Sequence, residues 1–465
     1  MKSNVTMIHD IENRMKSEGL PELAIKTFEQ YYQLLIDGET GMIPESCIQP
    51  VNYVPNANLL GSDYTKIGED AIGKTVIIKL NGGLGTSMGL EKAKSLIKVK
   101  GEKSFLDIIA EQTLSLKMPL VLMNSFSTHN DSLQALNKYQ KLLDDNLLFN
   151  FIQNKIPKID RKNLSPVNYG AQPELEWCPP GHGDIYTSLI TSNVLEQLLD
   201  SGYEYAFISN SDNLGAVMDV NILGYFVKHL IPFMMEVAQR TSADRKGGHL
   251  AKDNDGRLIL REIAQCNDAD IDDFQNIDRY KYFNTNNIWI NLAELKSMMD
   301  EYNDILPLPL IRNLKTVNPR EPDSTSVYQL ETAMGSAIKL FPKAQALLVS
   351  RERFIPVKTT SDLLIVRSDL YTLNEHSQLS INLKESHEKP VIALDQKYYK
   401  LIDQFEERFP YGVPSLLECD ELTVNGNIVF GENYKISGNT CLSNNTDQVV
   451  ILEDVKTFSG NKNWI

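Results

Sequence analysis

The most constraining feature of the chain is TVIIKL (75–80), a short β-branched apolar run that ends directly in the glycine-rich stretch LNGGLGTSMG (80–89). A run this short and apolar suits a strand covered on both faces, and glycines at its carboxyl end suit a turn that lets backbone approach a ligand. The same rhythm returns downstream. Phe105, Ile108, Ile109 and Leu116 share one helix face, and PLVLMN (119–124) reads as a second strand. Ile185, Leu189, Leu195, Leu198 and Leu199 fit a helix closed by Gly202, and YAFIS (205–209) reads as a third strand. This alternation predicts a mainly parallel, twisted sheet with helices on both faces, whose ligands bind beyond the carboxyl ends of the strands.

The flanks differ in character. From residue 1 to about 45 the chain reads as helical: Ile8, Ile11 and Met15, then Leu23, Phe28, Tyr31, Tyr32 and Leu35, approximate a 3.6-residue period. MIPESCIQPVNYVPNAN (42–58) then carries three prolines and predicts an extended linker. Near the other end Leu416, Leu422, Ile428 and Tyr434 recur every six residues, as do Val424, Phe430, Ile436 and Leu442. Val450 and Leu452 resume the pattern after an interruption at 443–448. Two interleaved series of this kind predict a short parallel β-helix in preference to a small sandwich or meander.

Charge and cysteine narrow the function classes. With 46 basic and 61 acidic residues among 465, the formal net charge is −15. Such a surface repels phosphate backbones and anionic lipid, so neither nucleic acid nor membrane is an expected partner, although one cationic cleft remains compatible with it. Five scattered cysteines with no CxxC spacing indicate neither a disulfide framework nor a zinc module. The opening residues lack the apolar core of a signal peptide, and no run approaches the roughly 18 apolar residues of a spanning helix. A cytoplasmic protein is expected.

Several segments could carry chemistry, each beside a blander reading. The glycine loop fits neither GxGxxG, which fails at Met88, nor GxxxxGK[ST]; it is either an anion-binding turn or a plain tight turn. Lys92, Lys94 and Lys98 could neutralise a polyphosphate, or be ordinary surface lysines. WCPPGHGD (177–184) is a stiff loop in which His182 could donate to a phosphate or sugar hydroxyl, with Asp184 expected to cap the next helix. Asn210 to Asn213 end a strand, where Asp212 could hold Mg²⁺ or merely close a turn. FNTNNIW (283–289) sets amides beside apolar residues, suited to sugar hydroxyls or to a turn. Lys358 precedes a further apolar stretch.

Taken together, these segments resemble the eukaryotic-type UTP–glucose-1-phosphate uridylyltransferases (UDP-glucose pyrophosphorylases). The resemblance runs from about residue 20 to the C-terminus in family order: KLNGGLGTSMG (79–89), KAKSL (92–96), LMNSFST (122–128), PPGHGD (179–184), SDNLGA (211–216), KGG (246–248), EIAQ (262–265), FNTNNIW (283–289) and VKTTSDLL (357–364). It implies an α/β fold: a central doubly wound, Rossmann-like nucleotidyltransferase mixed sheet, N-terminal helices and a C-terminal parallel β-helix. These divide as 1–45, 46–370 and 371–465.

It also implies roles. Leu80, Asn81, Gly82 and Gly83 would line the UTP site through their backbone, Lys94 would contact the triphosphate, and Gln153 would read the uracil edge with Gly181 near the base or ribose. His182 would sit against the sugar phosphate, and Asp212 would ligate Mg²⁺ with Asn210 nearby. Glu262 and Asn286 would hold glucose hydroxyls with Asn287 beside them, and Lys358 would stabilise the reacting phosphates. Two departures stand out: Lys158 replaces an arginine, and His249 follows KGG where threonine is common. The implied reaction joins UTP and glucose 1-phosphate into UDP-glucose and pyrophosphate, reversibly. Self-association through the C-terminal unit is a further expectation, from its exposed sheet edges and coil faces. Competing readings are a sister UDP-sugar or UDP-N-acetylhexosamine pyrophosphorylase, a non-catalytic nucleotide-sugar-binding protein, and a dinucleotide oxidoreductase, which the failed GxGxxG disfavours.

Overall fold

The computed structural model describes residues 4–170, 172–382, 389–446, 448–452 and 457–464. Two helices open the chain, α1 (Asn4–Ser17) and α2 (Glu22–Ile36); residues 1–3 lie outside the described ones, and helix does not continue beyond Ile36 to residue 45 except as one 3₁₀ turn. Ile11, Met15, Phe28, Tyr31, Tyr32 and Leu35 are buried, as their period demands.

Among the described residues the central sheet has ten strands: β1 (Ile48–Pro50), β2 (Thr75–Asn81), β3 (Leu120–Asn124), β4 (Leu148–Ile152), β5 (Tyr205–Asn210), β6 (Phe233–Gln239), β7 (His249–Asp253), β8 (Leu258–Arg261), β9 (Tyr282–Asn291) and β10 (Gln345–Leu348). The order β1-β7-β9-β5-β2-β3-β4 forms its main path. Strands β5, β2, β3 and β4 are parallel neighbours, as the βαβ rhythm requires. Strand β9 corrects the expectation of a mainly parallel sheet. It runs antiparallel to β5, β6 and β7, so half the sheet is antiparallel. The proline-rich stretch is not purely a linker either, since Ile48–Pro50 pairs with β7 at the sheet edge, where a proline costs no ladder bond.

Alternating side chains show both faces covered. Val76 and Ile78 join a core with Ile185, Leu189, Leu195 and Leu198, whereas Ile77 joins Phe207, Ile222, Phe226 and Trp289. The helix expected across residues 185–199 is in fact two, Ile185–Thr191 and Val194–Asp200, because Asn193 adopts a left-handed φ of 60° between them.

The C-terminal strands are β11 (Val391–Leu394), β12 (Ser415–Asn425), β13 (Ile428–Val429), β14 (Lys435–Asn444), β15 (Val450–Ile451) and β16 (Thr457–Trp464). Every pairing among them is parallel, which a meander cannot give. All eight residues of the two six-residue series are buried. They share one core with Phe105, Leu120, Leu122, Leu364 and Tyr399, so the unit packs on the central sheet at β3.

Candidate active site

The predicted site residues collect along one edge of the sheet, beyond the carboxyl ends of β2, β4 and β5. Leu80 and Asn81 finish β2, and the Leu80 carbonyl accepts from Ser211 N. The backbone N–H groups of Gly82 and Gly83 have no acceptor among the described residues, which leaves an anion cradle at the mouth of the loop. Gln153 follows β4 directly, and its side-chain amide lies over Gly82: a Cβ there would stand 2.6 Å from Gln153 Nε2. The glycine is therefore demanded by close approach.

Lys94 folds back under the loop through its N–H to the Gly83 carbonyl, and its ammonium meets Asp212 Oδ2 at 2.6 Å. These two residues are 118 positions apart. Asp212 Oδ1 is buried and has no hydrogen-bond partner among the described residues. Val357 N donates to the Asp212 carbonyl, which sets Lys358 next to the same carboxylate-bearing turn, with Asn210 at its start. The Lys358 side chain is exposed and makes no hydrogen bond to the described residues.

The loop 179–184 is zipped to residues 332–334. Thr332 N donates to Pro180 O, Gly183 N donates to Thr332 O, and Gly181 lies between these two bonds with φ 82°. His182 Nδ1 accepts from Met334 N at 2.9 Å, and burial holds the imidazole down at about 4. The ring is thus neutral at pH 7 and carries its proton on Nε2, a donor suited to phosphate. Asp184 does not cap the following helix through its side chain. Its carboxylate accepts from Asn154 N, Asn154 Nδ2 and Ser188 Oγ, while burial raises it to about 6.

On the far side, β7 and β8 bring Gly248 against Glu262, whose carboxylate would collide with any Cβ at 248. Burial raises the Glu262 carboxyl, and the Lys358 charge opposes that rise, which puts the two within electrostatic reach. Asn286 sits where the β6–β9 register slips, at φ 59°, hydrogen-bonded to Asn284.

A family model for UTP–glucose-1-phosphate uridylyltransferase matches residues 25–437. The chain belongs to this family. It is 38% identical to UTP–glucose-1-phosphate uridylyltransferase 2 of Dictyostelium discoideum, covering 89% of this chain and 82% of that one. It is 41% identical to the Hordeum vulgare enzyme, covering 80% and 77%. Among solved structures it superposes on UDP-glucose phosphorylase from Trypanosoma brucei with a TM-score of 0.87 at 45% identity, covering 98% and 99%. A variant of UDP-glucose pyrophosphorylase from Leishmania major in complex with UDP-glucose gives 0.89 at 40%, again covering 98% and 99%.

For a uridylyltransferase, one expectation drawn from the resemblance needs correction. Asn287 is fully buried, its amide donating to Glu236 Oε2 and Arg353 O, so it supports the bulge that carries Asn286 rather than facing a sugar. The Asn81 side chain is turned inward, donating to Asn124 Oδ1 and Ser132 Oγ, which leaves its backbone to the loop and agrees with a role through backbone alone. His249 is buried, stacked on Tyr280 at 3.9 Å, and makes no part of the cleft.

Other residues were missed. Asp362 accepts from Lys358 N, Thr359 N and Thr359 Oγ1, a capping box that fixes the backbone of Lys358. The T-x-x-D spacing in VKTTSDLL is the signal that finds it. Lys79 is buried below the loop, donating to Ser209 Oγ and Ala216 O, with its ammonium pushed down to about 7 by burial and by Arg353.

Proposed function

We propose that this uridylyltransferase joins UTP to glucose 1-phosphate, releasing pyrophosphate, and runs the reverse reaction. The observation that carries the reading is the Lys94–Asp212 pair at the mouth of the glycine loop, with Lys358 held beside it. A phosphate oxygen of glucose 1-phosphate attacks the α-phosphorus of UTP. That P–O bond forms as the bond to the β-phosphate breaks, and pyrophosphate leaves with the electron pair. The nucleophile is already an anion, so no protein base or nucleophile is required.

What the protein must overcome is repulsion between polyanions and their misalignment. Gln153 over Gly82 reads the uracil edge. The Gly82 and Gly83 amides and Lys94 take the triphosphate, the His182 Nε2–H meets the sugar phosphate, and Glu262 and Asn286 accept and donate to glucose hydroxyls. Lys358 answers charge developing at the reacting phosphates.

Asp212 is the residue that would hold Mg²⁺. Its buried Oδ1 lacks a partner among the described residues, and Mg²⁺ needs only one or two protein carboxylates when phosphates complete its shell. Bound there, the ion would neutralise phosphate charge.

The purified protein, assayed for pyrophosphate release from UTP with glucose, galactose or N-acetylglucosamine 1-phosphate, should prefer glucose 1-phosphate. Lys94→Ala and Asp212→Ala should each lower kcat at least a hundredfold with circular dichroism unchanged. Near-normal turnover in either variant removes that residue from the mechanism.

Self-association through the C-terminal unit is part of the same reading. Strand β16 has a ladder partner on one side among the described residues, an edge open to a second copy. Light scattering that gives a monomer mass at every concentration would refute it. A cytoplasmic location is proposed as well: all five cysteines are unpaired, and among the described residues no helix is long and apolar enough to cross a membrane.

A further inference from the structure

Beneath the cleft lies a charged group that the chemistry above does not use. Glu236, on β6, is fully buried, yet each carboxylate oxygen receives two hydrogen bonds. Oε1 accepts from Arg353 Nη2 at 2.6 Å and Trp289 Nε1 at 2.9 Å. Oε2 accepts from Arg353 Nε and Asn287 Nδ2, both at 2.9 Å. The glutamate thus sits at the slip in the β6–β9 ladder, and it grips both the strand that carries Asn286 and the segment that leads to Lys358.

The grip continues through backbone. Arg353 O accepts from Asn213 Nδ2 at 3.0 Å and from Asn287 Nδ2 at 3.2 Å. Asn213 Oδ1 accepts from Ile355 N at 2.8 Å, and two residues on Val357 N donates to Asp212 O. Residues 353–357 are therefore stitched to the turn 212–213, and Lys358 is the next residue in the chain. Each stitch is a hydrogen bond whose loss leaves a buried polar group unpaired, so the two segments have little freedom to part.

We propose that the Glu236–Arg353 pair, acting through Asn213, is a positioning clamp for the reaction: it sets the distance from Lys358 to the Asp212 turn. The pair reaches no substrate itself. An ordinary buried ion pair would contribute only to folding, and replacing such a pair is often neutral. This one differs in that its arginine lends its own backbone carbonyl to the metal-binding turn's neighbour. The clamp rests on the role given above to Lys358, and its test separates the two.

The experiment is a double-mutant cycle on kcat. Arg353→Lys keeps the charge but loses the two-pronged fork; Asn213→Ala breaks the stitch without stranding a charge, and carries the test should Arg353→Lys not fold. Each is made alone and with Lys358→Ala, and folding is checked by a cooperative thermal melt. Either variant alone should lose at least tenfold in kcat, with KM for both substrates within about threefold. In the Lys358→Ala background neither should cost more than a further twofold, because the group being positioned is gone. Losses that multiply in the double variant, or an unchanged kcat in the single ones, overturn the clamp. Wild-type turnover by Lys358→Ala alone overturns the role of Lys358, and the clamp with it.

Discussion

At the scale of single residues, the site is built by contact distances as much as by charge. Gly82 is the clearest instance. An added methyl would stand 2.6 Å from the Gln153 amide, so Gly82→Ala must push that side chain off its position. KM for UTP should rise about tenfold, or ~1.4 kcal/mol, with kcat changed far less. An unchanged KM would remove Gln153 from uracil recognition. His249 yields a prediction of another kind. Burial, with the Arg240 charge beside it, holds its imidazole down to about 3, so the unfolded chain takes up this proton near pH 6.5 and the folded one does not. Stability is therefore lost as pH falls through that window, by about 2 kcal/mol at pH 5 from this group. His249→Phe removes the term while keeping the ring on Tyr280. Its apparent melting temperature should drop less than that of the wild type between pH 7.5 and pH 5. An equal drop would show that His249 protonates alike in both states.

At the scale of elements, capping and register decide where the reactive groups point. The box Thr359–Asp362 starts the helix Thr360–Arg367 and holds the Lys358 N–H. Asp362→Ala should cost about 1 kcal/mol of local stability and several-fold in kcat, with overall circular dichroism unchanged. A normal kcat would mean the clamp from Arg353 alone suffices to place Lys358.

Elements also show what was legible in the chain. The parallel strands were, because β-branched runs covered on both faces carry an unbroken apolar signature. So was the C-terminal parallel pairing, because apolar residues recurring every six positions set Val424 directly beside Leu442, three repeats further on, in the neighbouring strand. Strand β9 was legible as a run of amides beside apolar residues but not as an antiparallel strand. Its asparagines carry weak β-propensity, and tertiary pairing with Glu236 and Arg353 overrides it. For the same reason the resemblance set Asn287 beside the sugar contacts, although its side chain is buried. A motif gives a residue its place along the chain, whereas the face its side chain takes is decided by partners such as Asn124 and Glu236, far away in sequence.

At the scale of the whole molecule, the question is how a chain with net charge −15 attracts two polyanionic substrates. The opposing terms act over different distances. Repulsion from the acidic surface reaches the approaching substrate through solvent, where salt screens it within about 8 Å at physiological ionic strength. On the proposed roles, attraction comes from Lys94, which is only 14% exposed and so acts at contact range with less screening, and from the exposed Lys358, which acts once the phosphates reach it. Moderate salt should thus weaken repulsion more than attraction. Between 20 and 150 mM potassium chloride at fixed free Mg²⁺, kcat/KM for UTP should stay level or rise, in contrast to the steep fall of proteins that gather polyanions on a basic surface. A loss of tenfold or more over that range would mean that the cleft's positive potential extends well beyond the site and that the acidic surplus lies on faces the substrates never approach.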